Sequence, residues 1–120
     1  MAGDNLDRAE PYPALPAGTR VLVTGGGGFV GANLVRRLLQ ADCQVTIYDN
    51  FSAGRFGYLD GLPVQIVEGD ILDNESMVKI VREQDGVVHL AANSGVPQSL
   101  LEPRLDFEAN ALGTLNVLEA

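Results

Sequence analysis

The residues with chemistry to offer are concentrated in two stretches, "VLVTGGGGFVG" (Val21 to Gly31) and "YDNFSAG" (Tyr48 to Gly54). Consecutive glycines give a backbone that turns tightly and brings bare N–H groups close to an anion. Gly26, Gly28 and Gly31 satisfy G-x-G-x-x-G, and Gly25, Gly28 and Gly31 satisfy G-x-x-G-x-x-G, so the spacing leaves two registers open. Asp49 stands 21 residues beyond Gly28. There a carboxylate can accept hydrogen bonds from two sugar hydroxyls, although "YDN" is also an ordinary turn sequence. The chemistry suggested is a cradle for a phosphate beside an acceptor for a ribose. A slack linker is the competing reading of the glycines.

The flanking elements decide between these readings. Arg20 to Thr24, "RVLVT", is a short β-branched run ending at glycine, which predicts a buried strand. After the glycines, Val30, Leu34, Val35, Leu38 and Leu39 recur at helical spacing. "QVTIYD" (Gln44 to Asp49), "VQIVEGD" (Val64 to Asp70) and "GVVHLAA" (Gly86 to Ala92) predict three further strands. "NFSAGRFGYLDGLP" reads as a loop with one helical turn. "DNESMVKIVRE" reads as a helix capped by Asp73, with a stripe of Met77, Ile80 and Val81. A last helix opens at Pro103 and carries Leu105, Ala109, Leu112 and Leu115.

Strands alternate with helices and are continuously apolar, so the expected fold is α/β. It is a Rossmann-type doubly wound parallel sheet of about four strands with helices on both faces. In such a sheet, glycines between the first strand and an amphipathic helix lie where a dinucleotide places its pyrophosphate, which removes the linker reading. Asp49 then faces the adenosine ribose, and its charge repels a 2'-phosphate. The expected cofactor is NAD rather than NADP, with Arg55 just beyond as the residue that argues the other way.

Composition bounds the rest. The chain has 120 residues, 46% of them hydrophobic, enough for one domain with a core. Sixteen acidic residues against eight Lys and Arg give a net charge of -8, which argues against nucleic-acid and anionic-membrane partners. Cys43 is the single cysteine and His89 the single histidine, so neither an intramolecular disulfide nor a structural zinc site is expected. That cysteine usage fits a reducing, cytoplasmic setting. No apolar run approaches the roughly 18 residues of a membrane span. Residues 1–18, acidic and proline-rich, are expected to form a mobile leader, with a docking peptide as the alternative; residues 19–120 form the cofactor-binding domain.

The motifs resemble the extended short-chain dehydrogenase/reductases, in particular the NAD-dependent nucleotide-sugar epimerase/dehydratase branch and its UDP-glucose 4-epimerase-like members. "VTGGGGFVG" is similar to T-G-G-x-G-F-I-G, which favours the register Gly25, Gly28, Gly31 and sets Phe29 and Val30 beside the cofactor. "YDNFSAG" is similar to D-N-L-S-x-G and implies Asp49, Asn50, Phe51 and Ser52 around the adenosine half. "EGDILD" is similar to G-D-I-x-D, implying that Asp70 and Ile71 flank the adenine. "VVHLAANSGVPQSLLEP" implies Leu90, Ala91 and Ala92 as the nicotinamide-side wall, with Ser94 near the mouth. In "ANALGTLNVLEA" the resemblance implies that Asn110 holds a helix against the sheet. It also implies a nucleotide-sugar substrate, a homodimeric parent and a structural role for His89, with no neighbour completing a relay. Cys43 is expected to be inert.

The family's chemistry uses a Tyr-x-x-x-Lys pair, and this sequence has none. Four residues past Tyr12, Tyr48 and Tyr58 stand Pro16, Ser52 and Leu62, and four before the single lysine, Lys79, stands Glu75. The expectation is the N-terminal, NAD-binding part of an enzyme, inactive alone. Its parent would oxidise a sugar hydroxyl and re-reduce the ketone from the other face as an epimerase. The alternatives are a 4,6-dehydratase or decarboxylase of the same branch, or a non-catalytic NAD-binding module.

Overall fold

The structure, a computed structural model, describes residues 14–120. Most of the expected leader, residues 1–13, lies outside the described residues. The last leader residues are exposed and join the fold through a turn, where Thr19 donates to Pro16 O from its N–H (3.1 Å) and its hydroxyl (2.6 Å). The elements that follow are β1 (Arg20–Thr24), α1 (Phe29–Gln40), β2 (Gln44–Asp49), a 3-10 turn (Phe56–Leu59), β3 (Gln65–Glu68), α2 (Asn74–Val81) and β4 (Gly86–His89). Then come α3 (Val96–Leu101), α4 (Pro103–Phe107), a π-helical stretch (Glu108–Leu112) and α5 (Gly113–Glu119). The strands form one parallel sheet in the order β3-β2-β1-β4.

The continuous apolar character of β1 and β2 follows from burial on both faces. Val21, Val23, Val45 and Ile47 pack against Val35 and Leu38 of α1. Leu22 and Tyr48 point the other way, into a second cluster with Ile71 and Met77. The outer strands differ from expectation, since β3 is mostly exposed and β4 is half-buried. Both are also shorter than their apolar runs. β4 stops at His89 because its partner β1 ends opposite it at Thr24, and the chain then bends across the end of β1.

The helices show where sequence periodicity misleads. Val30, placed in the buried stripe of α1, is 64% exposed. The face that meets the sheet is Gly31, Ala32, Val35 and Leu38, whose small first members let the helix press close. Asp73 caps α2 as expected, accepting from Ser76 N–H at 3.1 Å and from its hydroxyl at 2.6 Å, and Met77 is fully buried. The single final helix is instead α4, the π-helical stretch and α5, preceded by the unanticipated α3. The break at Glu102 (φ -133, ψ 65) reflects Pro103, which disfavours helical backbone in the residue before it. Leu105, Leu112 and Leu115, expected on a buried stripe, remain exposed.

Candidate functional site

In a parallel sheet all carboxyl ends lie along one edge, and ligands of doubly wound folds bind there where the strand order reverses. Here that point falls between β1 and β4, whose ends pair Thr24 with His89. Gly25 to Gly28, Asp49 to Ser52, Asp70 and Leu90 to Ser94 all follow the ends of their strands, so the topology brings together the loops singled out from sequence.

Gly25 makes the tight turn. Its φ is +69, and a Cβ there would lie 2.7 Å from Ala91 N and 2.8 Å from Leu90 C. Gly31 is equally constrained, because a Cβ would run into Gly25 O and come within 2.7 Å of Gly26 Cα. Gly28 is different. It precedes α1 with φ -76 and ψ 174, and a Cβ there would meet only Gly25 O at 3.4 Å, an ordinary contact. The geometry therefore gives Gly25 and Gly31 backbone reasons to be glycine and gives Gly28 none. No side chain caps α1 and no acidic residue stands in its first turn, so its leading N–H groups and the positive end of its dipole face outward beside exposed Phe29 and Val30.

Asp49 is buried, and its carboxylate ties two loops together. Oδ2 accepts from Gly27 N–H at 2.9 Å and Oδ1 from Phe51 N–H at 2.8 Å. Each oxygen keeps one acceptor site. Arg55 N–H closes the arrangement on Gly27 O at 2.9 Å. Phe51 adopts a left-handed backbone (φ 53) and stacks on Phe56 with ring centroids 3.7 Å apart. Asn50 Oδ1 accepts from Ser52 N–H at 3.0 Å, which shapes the rest of the loop. The Arg55 guanidinium lies 5.9 Å from the centre of the Tyr58 ring.

Asp70 is exposed and accepts from Leu72 N–H at 2.9 Å. Ile71 is placed differently from its neighbours, for its side chain is buried in the core against Gly113, and its carbonyl accepts from Asn116 Nδ2 at 3.0 Å. Leu90 and Ala91 are half-buried where they cross β1, while Ala92 and Ser94 are exposed.

His89 is hydrogen-bonded at both ring nitrogens. Its Nδ1 lies 2.6 Å from Thr24 Oγ1, and its Nε2 lies 3.0 Å from Thr114 Oγ1. Burial holds its imidazole below the ordinary 6.5. Sequence reasoning missed Thr24 and Thr114 because their hydroxyls matter only once β1, β4 and α5 are side by side. Asn110 does hold its helix to the site: its Nδ2 donates to Asn93 O at 2.9 Å and its Oδ1 accepts from Asn93 N–H at 2.7 Å. Cys43 is buried at the start of β2, away from this edge. Among the described residues no group of His, Cys, Asp and Glu is arranged to hold a metal, and no helix is long and apolar enough to cross a membrane.

The profile of the NAD dependent epimerase/dehydratase family matches residues 21–120. The chain belongs to this family. Among relatives of this NAD dependent epimerase/dehydratase chain, a dTDP-glucose 4,6-dehydratase of Mycobacterium tuberculosis is 41% identical over 106 residues, covering 84% of the chain and 32% of the relative. Epimerase Mth375 of Methanothermobacter thermautotrophicus superposes with a TM-score of 0.82 at 41% identity, over 86% of the chain and 31% of that structure. A UDP-glucose 4-epimerase of Thermus thermophilus, solved in complex with NAD, gives 0.77 at 40% identity over 84% of the chain and 33% of that structure. The family chain thus spans about a third of the length of these relatives.

Proposed function

We propose that this chain is the NAD-binding part of a nucleotide-sugar epimerase. The observation that carries the reading is the contrast among the glycines. Gly25 and Gly31 are required by backbone contacts, whereas Gly28 has room for a side chain and lies at the uncapped start of α1. That is the cradle a pyrophosphate needs, with N–H groups and a helix dipole facing it. Asp49, with one acceptor site left on each oxygen, receives the adenosine ribose hydroxyls and excludes a 2'-phosphate by charge. Asn50, Phe51 and Ser52 shape the adenosine side together with Asp70 and Ile71. Ile71 contributes its backbone, since its side chain is in the core. Leu90, Ala91 and Ala92 wall the nicotinamide end, with Ser94 at the mouth.

NAD, when bound, supplies a hydride acceptor and donor for a sugar hydroxyl. The groups that move the hydroxyl proton are not among these residues, since the sequence holds no Tyr-x-x-x-Lys pair. The chain alone is therefore expected to bind cofactor without turnover. The parent is proposed to be a cytoplasmic homodimer with a nucleotide-sugar substrate. A 4,6-dehydratase is the second reading, favoured by the 41% identity to the mycobacterial enzyme.

The test is to incubate the full-length protein with NAD and either UDP-glucose or dTDP-glucose and identify products by NMR. A C4 epimer supports the proposal. A 4-keto-6-deoxy sugar moves the assignment to the dehydratase, and no conversion of either sugar by NAD-loaded protein counts against both.

A further inference from the structure

His89 is a half-buried titratable group that the cofactor reading leaves unused, and its hydrogen bonds fix which ring nitrogen carries the proton. The Thr114 hydroxyl donates to Asn110 O at 2.6 Å, so its proton is committed and its oxygen must accept from His89 Nε2–H at 3.0 Å. In the neutral ring, Nδ1 is then an acceptor, and the contact at 2.6 Å is a donation from the Thr24 hydroxyl. With its proton directed to the ring, Thr24 Oγ1 turns both lone pairs to the main chain, accepting from Leu90 N–H at 3.1 Å and Ala91 N–H at 3.2 Å. Those two residues are the ones against which Gly25 packs, where a Cβ would come within 2.7 Å of Ala91 N. Leu90 N–H shares its donation with the Thr24 carbonyl at 3.0 Å, whereas Ala91 N–H donates to the Thr24 hydroxyl.

We propose that His89 is a positioning residue. As a neutral ring with its proton on Nε2, it orients the Thr24 hydroxyl so that the wall at Leu90 and Ala91 is held at a fixed distance from the glycine turn. The inference rests on the NAD-binding reading and deepens it: the hydrogen-bond chain serves the nicotinamide end of the site and leaves the adenosine end alone. A reversed or protonated ring would present an N–H to Thr24 Oγ1, whose two lone pairs are already taken, and one main-chain bond would be lost. Burial holds the His89 imidazole below the ordinary 6.5, which favours the neutral ring.

The experiment uses full-length protein labelled with 15N-histidine, with His89→Asn serving to assign the signal. The expected spectrum at pH 7 is that of a neutral Nε2–H ring. An Nδ1–H ring or an imidazolium overturns the proposal, and this measurement requires no variant to be functional. Thr24→Val is then compared with Thr24→Ser by titration with NAD and with AMP, a probe of the adenosine half. Thr24→Val is expected to weaken NAD about tenfold, the usual consequence of orphaning one buried donor. It should leave AMP within about twofold, a difference inside the scatter of a surface change, and Thr24→Ser should recover most of the loss. Equal weakening of NAD and AMP, or no weakening of either, overturns the inference while leaving the cofactor reading intact. A parent protein that binds AMP but not NAD overturns the cofactor reading and this inference with it.

Discussion

At the scale of single residues, the glycine loop separates constraints that the sequence leaves merged. The two registers cannot be told apart from spacing, and the structure distinguishes them by backbone conformation: the left-handed turn is at Gly25, while Gly26 packs on Ile47. It also separates folding from binding. Gly31→Ala puts a methyl against backbone atoms that cannot yield, and an overpacking cost of about 1–3 kcal/mol is expected, read as a lower Tm together with lost NAD binding. Gly28→Ala meets only one atom at contact distance, so the Tm should stay close to the parent's while NAD binding falls at least about tenfold, because the methyl occupies the pyrophosphate's approach. Parallel effects of the two substitutions on Tm would contradict the assignment of Gly28 to the ligand. Asp49 was legible as a hydrogen-bond acceptor and as a turn residue, and its Oδ1 does take the N–H two residues on. Its bond to Gly27 was not legible, because it depends on a loop that folds back across the sheet edge.

At the scale of elements, strands and their order of appearance were readable because burial on both faces imposes an uninterrupted apolar run. Boundaries were less readable, since a strand ends where its partner ends. The C-terminal helices were misread for a physical reason: the apolar spacing of Leu105, Leu112 and Leu115 is genuinely helical, but these side chains have no covering partner among the described residues. Asn110 lies within the π-helical stretch and Thr114 just after it, and their side chains are tied to Asn93 and His89.

The opposite end of the sheet is tied by a pair that the sequence also concealed. Arg20 binds both oxygens of Asp85 (3.1 Å from Nε to Oδ2 and 2.7 Å from a terminal nitrogen to Oδ1), and the backbones of the two residues add Arg20 N–H to Oδ2 at 2.9 Å and Asp85 N–H to Arg20 O at 2.8 Å. The guanidinium and its backbone N–H hold the Asp85 carboxyl down to about 2, below its ordinary 3.8. A lowered acid pKa in the fold stabilises it above the unfolded value and loses that contribution as pH falls through the folded one. The expected outcome is an acid-induced loss of Tm between pH 3.8 and 2 that is smaller in Asp85→Asn, measured by circular dichroism. An unchanged acid limb in the variant would show that the tie contributes nothing.

For the molecule as a whole, the alternation of strands and helices was sufficient to read a parallel doubly wound sheet, while the order β3-β2-β1-β4 with its reversal beside β1 is seen only in the structure. The fold collects loops at one edge, so residues far apart in sequence are tied together: Asp49 holds Gly27, and Thr24 holds Ala91 and His89. A preorganised cradle of this kind is expected to discriminate between ligands that differ at the ribose. The most direct measurement is a calorimetric titration of the full-length protein with NAD and, separately, with NADP. Tighter binding of NAD than NADP is the predicted result, because the proposed role of the Asp49 carboxylate is to accept ribose hydroxyls and repel a phosphate. Equal or tighter binding of NADP, or no binding of NAD, would contradict the account.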